Sequence, residues 1–167
     1  MGFTQDNLQA AFTGESKANR RYLFFAEQAE KEGHSQIAKL FRAVAAAETV
    51  HARNHLGVLG GIGSTADNVE EAIEGEHYEF MRMYPEFIEQ AKSEGNKGAE
   101  HSFDWANKVE KIHHGLYQKA LEAAQGGQKL KDESYFICLG CGYTVGGEAS
   151  DKCPICGAPK SDFKQVE

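Results

Sequence analysis

Apolar residues in the first 125 positions recur at steps of three and four, the spacing that lines one face of an α-helix. One seam runs Ile37, Phe41, Val44, Glu48, His51, His55 and Val58, and another runs Phe103, Ala106, Glu110, His113, Tyr117 and Ala120. Two more run through Leu8, Phe12, Glu15, Asn19 and Tyr22, and through Val69, Ala72, Glu76, Glu79 and Met83. Glycines at 33, 60–61, 95 and 126–127 punctuate the pattern, which therefore predicts helices over residues 4–32, 35–59, 67–94 and 96–125. Glu70, three residues after Asp67, is the expected capping-box partner at the third start. Pro85 lies inside the third helix and is expected to kink it, because it removes a backbone donor. Four helices of similar length with short loops predict an all-α four-helix bundle.

The pattern is also duplicated. YLFFAEQAEKEG (22–33) and YPEFIEQAKSEG (84–95) match at seven of twelve positions at an offset of 62. That offset carries Phe41 onto Phe103, Glu48 onto Glu110 and His51 onto His113, so the chain reads as two copies of one helical hairpin. The copies fall out of step once. Seven residues separate Glu15 from Tyr22 but eight separate Glu76 from Tyr84, so one residue has been inserted, and a π-bulge is the expected way to absorb it.

After residue 125 the periodicity stops. A polar, glycine-bearing stretch predicts a linker at 128–133, which separates a helical domain over 1–127 from a tail over 134–167. The tail has too few large apolar residues to fold alone, so a metal or a disulfide must hold it. It contains all four cysteines, Cys138, Cys141, Cys153 and Cys156, spaced C-x₂-C-x₁₁-C-x₂-C. Two such knuckles make a tetrahedral thiolate cage for iron or zinc, and spacing alone does not choose between them.

Composition narrows the classes of function. The 167 residues are 41% apolar and 26% charged with a formal net charge of -7, which disfavours nucleic acid as a partner. No apolar run reaches the roughly 20 residues that span a bilayer, and residues 1–6 lack a signal peptide's basic and apolar regions. A cytoplasmic protein without a membrane partner is the expectation.

The seams carry polar groups where a core should be apolar. Glu15, Glu48, Glu76, Glu79, Glu110, His51 and His113 all point inward. Isolated carboxylates in an apolar core cost several kcal/mol each and repel one another. A pair of divalent or trivalent cations neutralises them and accounts for the histidines. Glu and His three residues apart lie about 60° from each other on one helix face, within reach of one ion. Carboxylate with imidazole suits iron or manganese, and zinc also binds such a set. Glu48 and Glu110 would bridge two metals, Glu15 and Glu76 would be terminal, and His51 and His113 would complete one ion each. Glu79, unmatched in the first repeat, is a spare carboxylate able to exchange with a histidine as the metal changes oxidation state. His55 reads as packing or supporting rather than ligating, Trp105 as packing, and His34, His77, His101 and His114 as solvent-facing. Tyr22 and Tyr84 hold equivalent repeat positions near the site, where they either pack or hydrogen-bond the metal-bound carboxylates.

AFTGESKANRRY, ETVHARNH, GEHYEFMRMYPEF and KVEKIHHGLYQKAL, followed by CLGCGY and CPICGAP, resemble in order the ligand helices and rubredoxin-like tail of the rubrerythrins. The resemblance implies a ferritin-like bundle with two non-haem iron ions on the seven seam ligands and one iron on the four cysteines. It implies that Glu79 exchanges with His51 on redox change. It further implies a hydrogen peroxide reductase, supplied with electrons through the thiolate-bound iron by a reductase or rubredoxin fed by NAD(P)H. The family typically forms homodimers that bring one subunit's rubredoxin-like centre near its partner's di-iron site, and some members exchange helices. Leu139 stands where many rubredoxins have proline. Two other readings share these residues: a ferroxidase or oxygen-reducing di-iron protein, and a non-catalytic metal-binding protein with a zinc-stabilised tail.

Overall fold

The computed structural model describes residues 2–166. Helices α1 (Phe3–Lys31) and α2 (Ser35–Val58) form one hairpin. Then come α3 (Thr65–Tyr78), a π-helical segment (Glu79–Met83), α4 (Tyr84–Ser93) and α5 (Lys97–Gln125). A three-stranded sheet of β1 (Tyr135–Cys138), β2 (Thr144–Gly146) and β3 (Phe163–Val166) completes the chain. The chain divides into two compact units between Gly63 and Ser64.

In the first unit the helices approach through small residues. Ala26, Ala29, Ala38, Ala45 and Ala52 are its buried apolar side chains. The Asn19 amide on α1 donates to the Ala45 carbonyl at 2.7 Å and to Thr49 Oγ1 at 2.9 Å, tying the helices together at the level of the ligand seam. The turn follows from one glycine. Gly33, at φ 81°, lets its own amide donate to the Glu30 carbonyl and that of His34 to the Ala29 carbonyl. These bonds satisfy helix-end acceptors that would otherwise face only water.

The second unit repeats this plan. Gly95, at φ 69°, closes α4, with the Asn96 amide donating to the Ala91 carbonyl at 2.9 Å. An aromatic trio is duplicated too. Tyr22, Phe25 and Phe41 stand at centroid distances of 6.3, 6.0 and 5.6 Å, and Tyr84, Phe87 and Phe103 at 6.3, 6.2 and 5.5 Å. The inserted residue of the second copy is absorbed by the π-helical segment, which opens on Glu79.

One local expectation is corrected. The third helix begins at Thr65 rather than Asp67, because Ser64 is the cap: its hydroxyl accepts from the Asp67 amide, and the Asp67 carboxylate accepts from the Ser64 amide. Glu70 instead accepts from Gln125 on α5. Pro85 sits in the first turn of α4, directly after the π-helical segment.

In the tail, β1 is the central strand and pairs antiparallel with both neighbours, Tyr135 opposite Gly146 and Cys138 opposite Phe163. No helix among the described residues is long and apolar enough to cross a membrane.

Candidate metal centres

Each helical hairpin assembles three ligand groups. On the first, Glu15 from α1 meets Glu48 and His51 from α2, with one ligand atom of each within 4.8 Å of the others. On the second, Glu76 from α3 meets Glu110 and His113 from α5 within the same limit. The three-residue spacing on α2 and α5 has the predicted effect. His51 Nδ1 lies 2.9 Å from Glu48 Oε2, and His113 Nδ1 lies 2.7 Å from Glu110 Oε2. In both copies Nδ1 is therefore the nitrogen turned toward the carboxylates. Glu76 Oε2 lies 3.7 Å from His113 Nδ1.

The electrostatics of the second group favour a cation. Burial, then the negative charge of Glu110, push the Glu76 carboxyl up to about 7. Burial and the Glu110 charge likewise raise Glu79. The hydrogen bond to Glu110 raises His113 against the opposing effect of its burial. Carboxylates crowded enough to retain protons, beside an imidazole drawn toward its charged form, lack positive charge. Two carboxylates and one imidazole nitrogen in this arrangement fit a divalent metal such as iron.

Glu79 stands outside the three-ligand group, although it is close enough to feel the charges of Glu110 and His113. Tyr84 is half-buried, and its phenol is raised first by burial and then by the charges of Glu79, Glu110 and Glu76. Tyr22 packs its ring on Phe25 and Phe41. His34, His77 and His101 are exposed as expected, whereas His114 is half-buried beside Phe80 and His77. Trp105 packs against His101 at 4.0 Å between ring centroids.

All four cysteines are unbridged, and their sulfurs form one cluster. Cys138 Sγ lies 3.6 Å from Cys156 Sγ, and Cys141 Sγ lies 3.6 Å from Cys153 Sγ. Four metal–sulfur bonds of about 2.3 Å in a tetrahedron set sulfurs about 3.8 Å apart, so the cage fits a thiolate-bound metal. The knuckles share one geometry at an offset of 15 residues. The Gly142 amide donates to the Cys138 carbonyl at 2.8 Å, and the Gly157 amide to the Cys153 carbonyl at 2.9 Å. Burial pushes the Cys141 and Cys156 thiols up. At Cys153 burial acts the same way, but hydrogen bonds from the amides of Cys156 and Ile155, together with those to the Cys141 and Cys156 sulfurs, outweigh it and hold the thiol at about 7.

The sequence pattern missed Thr144. Its Oγ1 lies 3.0 Å from His113 Nε2 and donates to the Gly142 carbonyl at 3.0 Å, so the tail touches a seam ligand of its own unit. Spacing along the chain carries no signal of a bond between residues 31 positions apart.

Comparison with known proteins gives a consistent picture. The family model described as Rubrerythrin matches residues 6–121, and that described as Rubrerythrin, rubredoxin-like domain, matches residues 136–164. Rubrerythrin-2 of Clostridium acetobutylicum is 39% identical over 96% of this chain and 95% of its own length. Nigerythrin of Nitratidesulfovibrio vulgaris is 36% identical over 98% of this chain and 86% of its own length. A solved structure of nigerythrin in a partially reduced state aligns with a TM-score of 0.59 at 35% identity, covering 99% of this chain and 88% of that one. The fold class is thus ferritin-like and all-α, with a rubredoxin-like C-terminal domain, and the chain has a di-iron site and a four-cysteine metal site.

Proposed function

The chain belongs to the rubrerythrin family of di-iron oxidoreductases, and on that footing we propose that it reduces hydrogen peroxide to water. The observation that carries this reading is the combination, in one chain, of two repeat-related Glu–Glu–His groups with a thiolate cage. Reducing one peroxide to two waters takes two electrons and two protons. Two ferrous ions, when bound, would supply those two electrons and polarise the O–O bond. Glu15, Glu48 and His51 would hold one ion, Glu76, Glu110 and His113 the other, and Cys138, Cys141, Cys153 and Cys156 would hold a third iron suited to electron transfer.

The remaining residues handle protons and ligand exchange. The seam glutamates and a water relay the two protons. Glu79, close enough to Glu110 to feel its charge, exchanges with His51 on redox change. Tyr84, and Tyr22 in the other repeat, orient the carboxylates.

Residues 1–127 in this reading perform the reduction and residues 134–167 relay electrons, with 128–133 as linker. A reductase or rubredoxin drawing on NAD(P)H supplies the electrons. The active form in this reading is a homodimer. The cytoplasm is the compartment that keeps such thiolates reduced.

The test is anaerobic stopped-flow mixing of the reduced protein with peroxide and, separately, with oxygen. Faster oxidation by peroxide is expected. Faster oxidation by oxygen would make the chain an oxygen-reducing or ferroxidase protein instead.

A further inference from the structure

We propose that Thr144 is a positioning residue for His113, and that through it the folded first knuckle of the rubredoxin-like domain holds this imidazole ready to take a metal. The inference rests on the reading of His113 as a ligand and adds what fixes it. His113 turns Nδ1 toward Glu110 at 2.7 Å and Glu76 at 3.7 Å, and turns Nε2 toward Thr144 Oγ1 at 3.0 Å. A metal on Nδ1 leaves the single ring proton on Nε2. That N–H donates to Thr144 Oγ1, and the hydroxyl's own proton goes to the Gly142 carbonyl at 3.0 Å. The Gly142 carbonyl also hydrogen-bonds the ring, so the knuckle offers acceptors to Nε2 through both this carbonyl and Thr144, and the tautomer is fixed. The opposite tautomer would aim an N–H at the carboxylates and block the metal.

The knuckle is held where this bond requires it. Gly142 directly follows Cys141 and has φ 85°; a Cβ built on it would stand 3.9 Å from Val109, a residue of α5 only 2% exposed. β2 begins at Thr144, so the hydroxyl's position depends on the fold of the knuckle, which in so short a tail depends on the metal in the thiolate cage. Filling the thiolate cage therefore favours metal binding at Glu76, Glu110 and His113, and by reciprocity metal there favours the docked tail. Leu116, Ala120 and Leu130 share the cleft wall with Thr144 and His113, so valine, which keeps the shape and loses the hydroxyl, suits position 144.

The experiment uses the full chain, stripped of metal and titrated with zinc, with nitrogen-15 NMR of the histidine rings. The His113 signal is identified by its loss in H113Q. The wild type is expected to show zinc on Nδ1 and a slowly exchanging Nε2 proton. Loss of a hydrogen-bond partner behind a ligating histidine typically costs about 10–100-fold in metal affinity, so T144V is expected to bind zinc at His113 at least about tenfold more weakly and to lose the slow exchange. T144S should keep both properties. Zinc on Nδ1 in T144V with affinity within about twofold of wild type and the proton still protected would overturn the proposal alone. Ring nitrogens of His113 unmoved by zinc would overturn the reading of His113 as a ligand, and the proposal with it.

Discussion

Glu76 shows at the scale of one residue why this chain needs cations. Its carboxyl, held at about 7 by burial and by Glu110, keeps a proton that the unfolded chain releases near 4.5. Between those values the folded state binds more protons than the unfolded state, so the stability of the metal-free protein falls as pH rises. Glu79 is raised by the same causes and acts with the same sign. His113, also raised, contributes stability below its ordinary value near 6.5 that is lost as pH climbs through its folded value. All three act together. Thermal unfolding of the metal-free protein is expected at a lower temperature at about pH 8 than at about pH 5, with a smaller difference in E76Q. Divalent metal should reverse the trend, because the bound form needs the carboxylates ionised. An unfolding temperature that rises over this range without metal would contradict the assignment of these groups to one crowded site.

At the scale of elements, the hairpin is the repeating unit and its glycine turn is the device that makes it. Gly33 has φ 81° and no atom near its absent Cβ, so G33A tests the backbone alone. It should lower stability by about 1 kcal/mol, the usual cost of a left-handed residue bearing a side chain, measured by denaturant unfolding. Much of this level was legible in the sequence. The offset of 62 anticipated the paired aromatic trios, and the extra residue between Glu76 and Tyr84 anticipated the π-helical segment at Glu79–Met83. Both are registers, and registers are properties of spacing. The helix start at Thr65 was not read correctly, since Ser64–Asp67 and Asp67–Glu70 offer the same three-residue signature and only side-chain geometry chooses between them. Thr144 was not legible at all, because its partner lies across the tertiary fold.

At the scale of the whole molecule, the compact units divide at Gly63 and Ser64, between the two copies of the hairpin. The repeat in the sequence marks this boundary, but that the tail belongs to the second unit depends on which elements pack together. The metal chemistry was legible as ligand types and spacing. The proposed purpose, movement of electrons from a thiolate centre to peroxide, is a property of the loaded chain. The most direct test is an anaerobic peroxide titration of fully reduced protein with three irons per chain, followed through the red colour of the oxidised thiolate iron. Three electrons at two per peroxide predict consumption of about 1.5 peroxides per chain, with the red colour returning in full. Consumption ending at about one peroxide while the thiolate iron stays reduced would contradict the account, because the thiolate centre would then not feed the reaction.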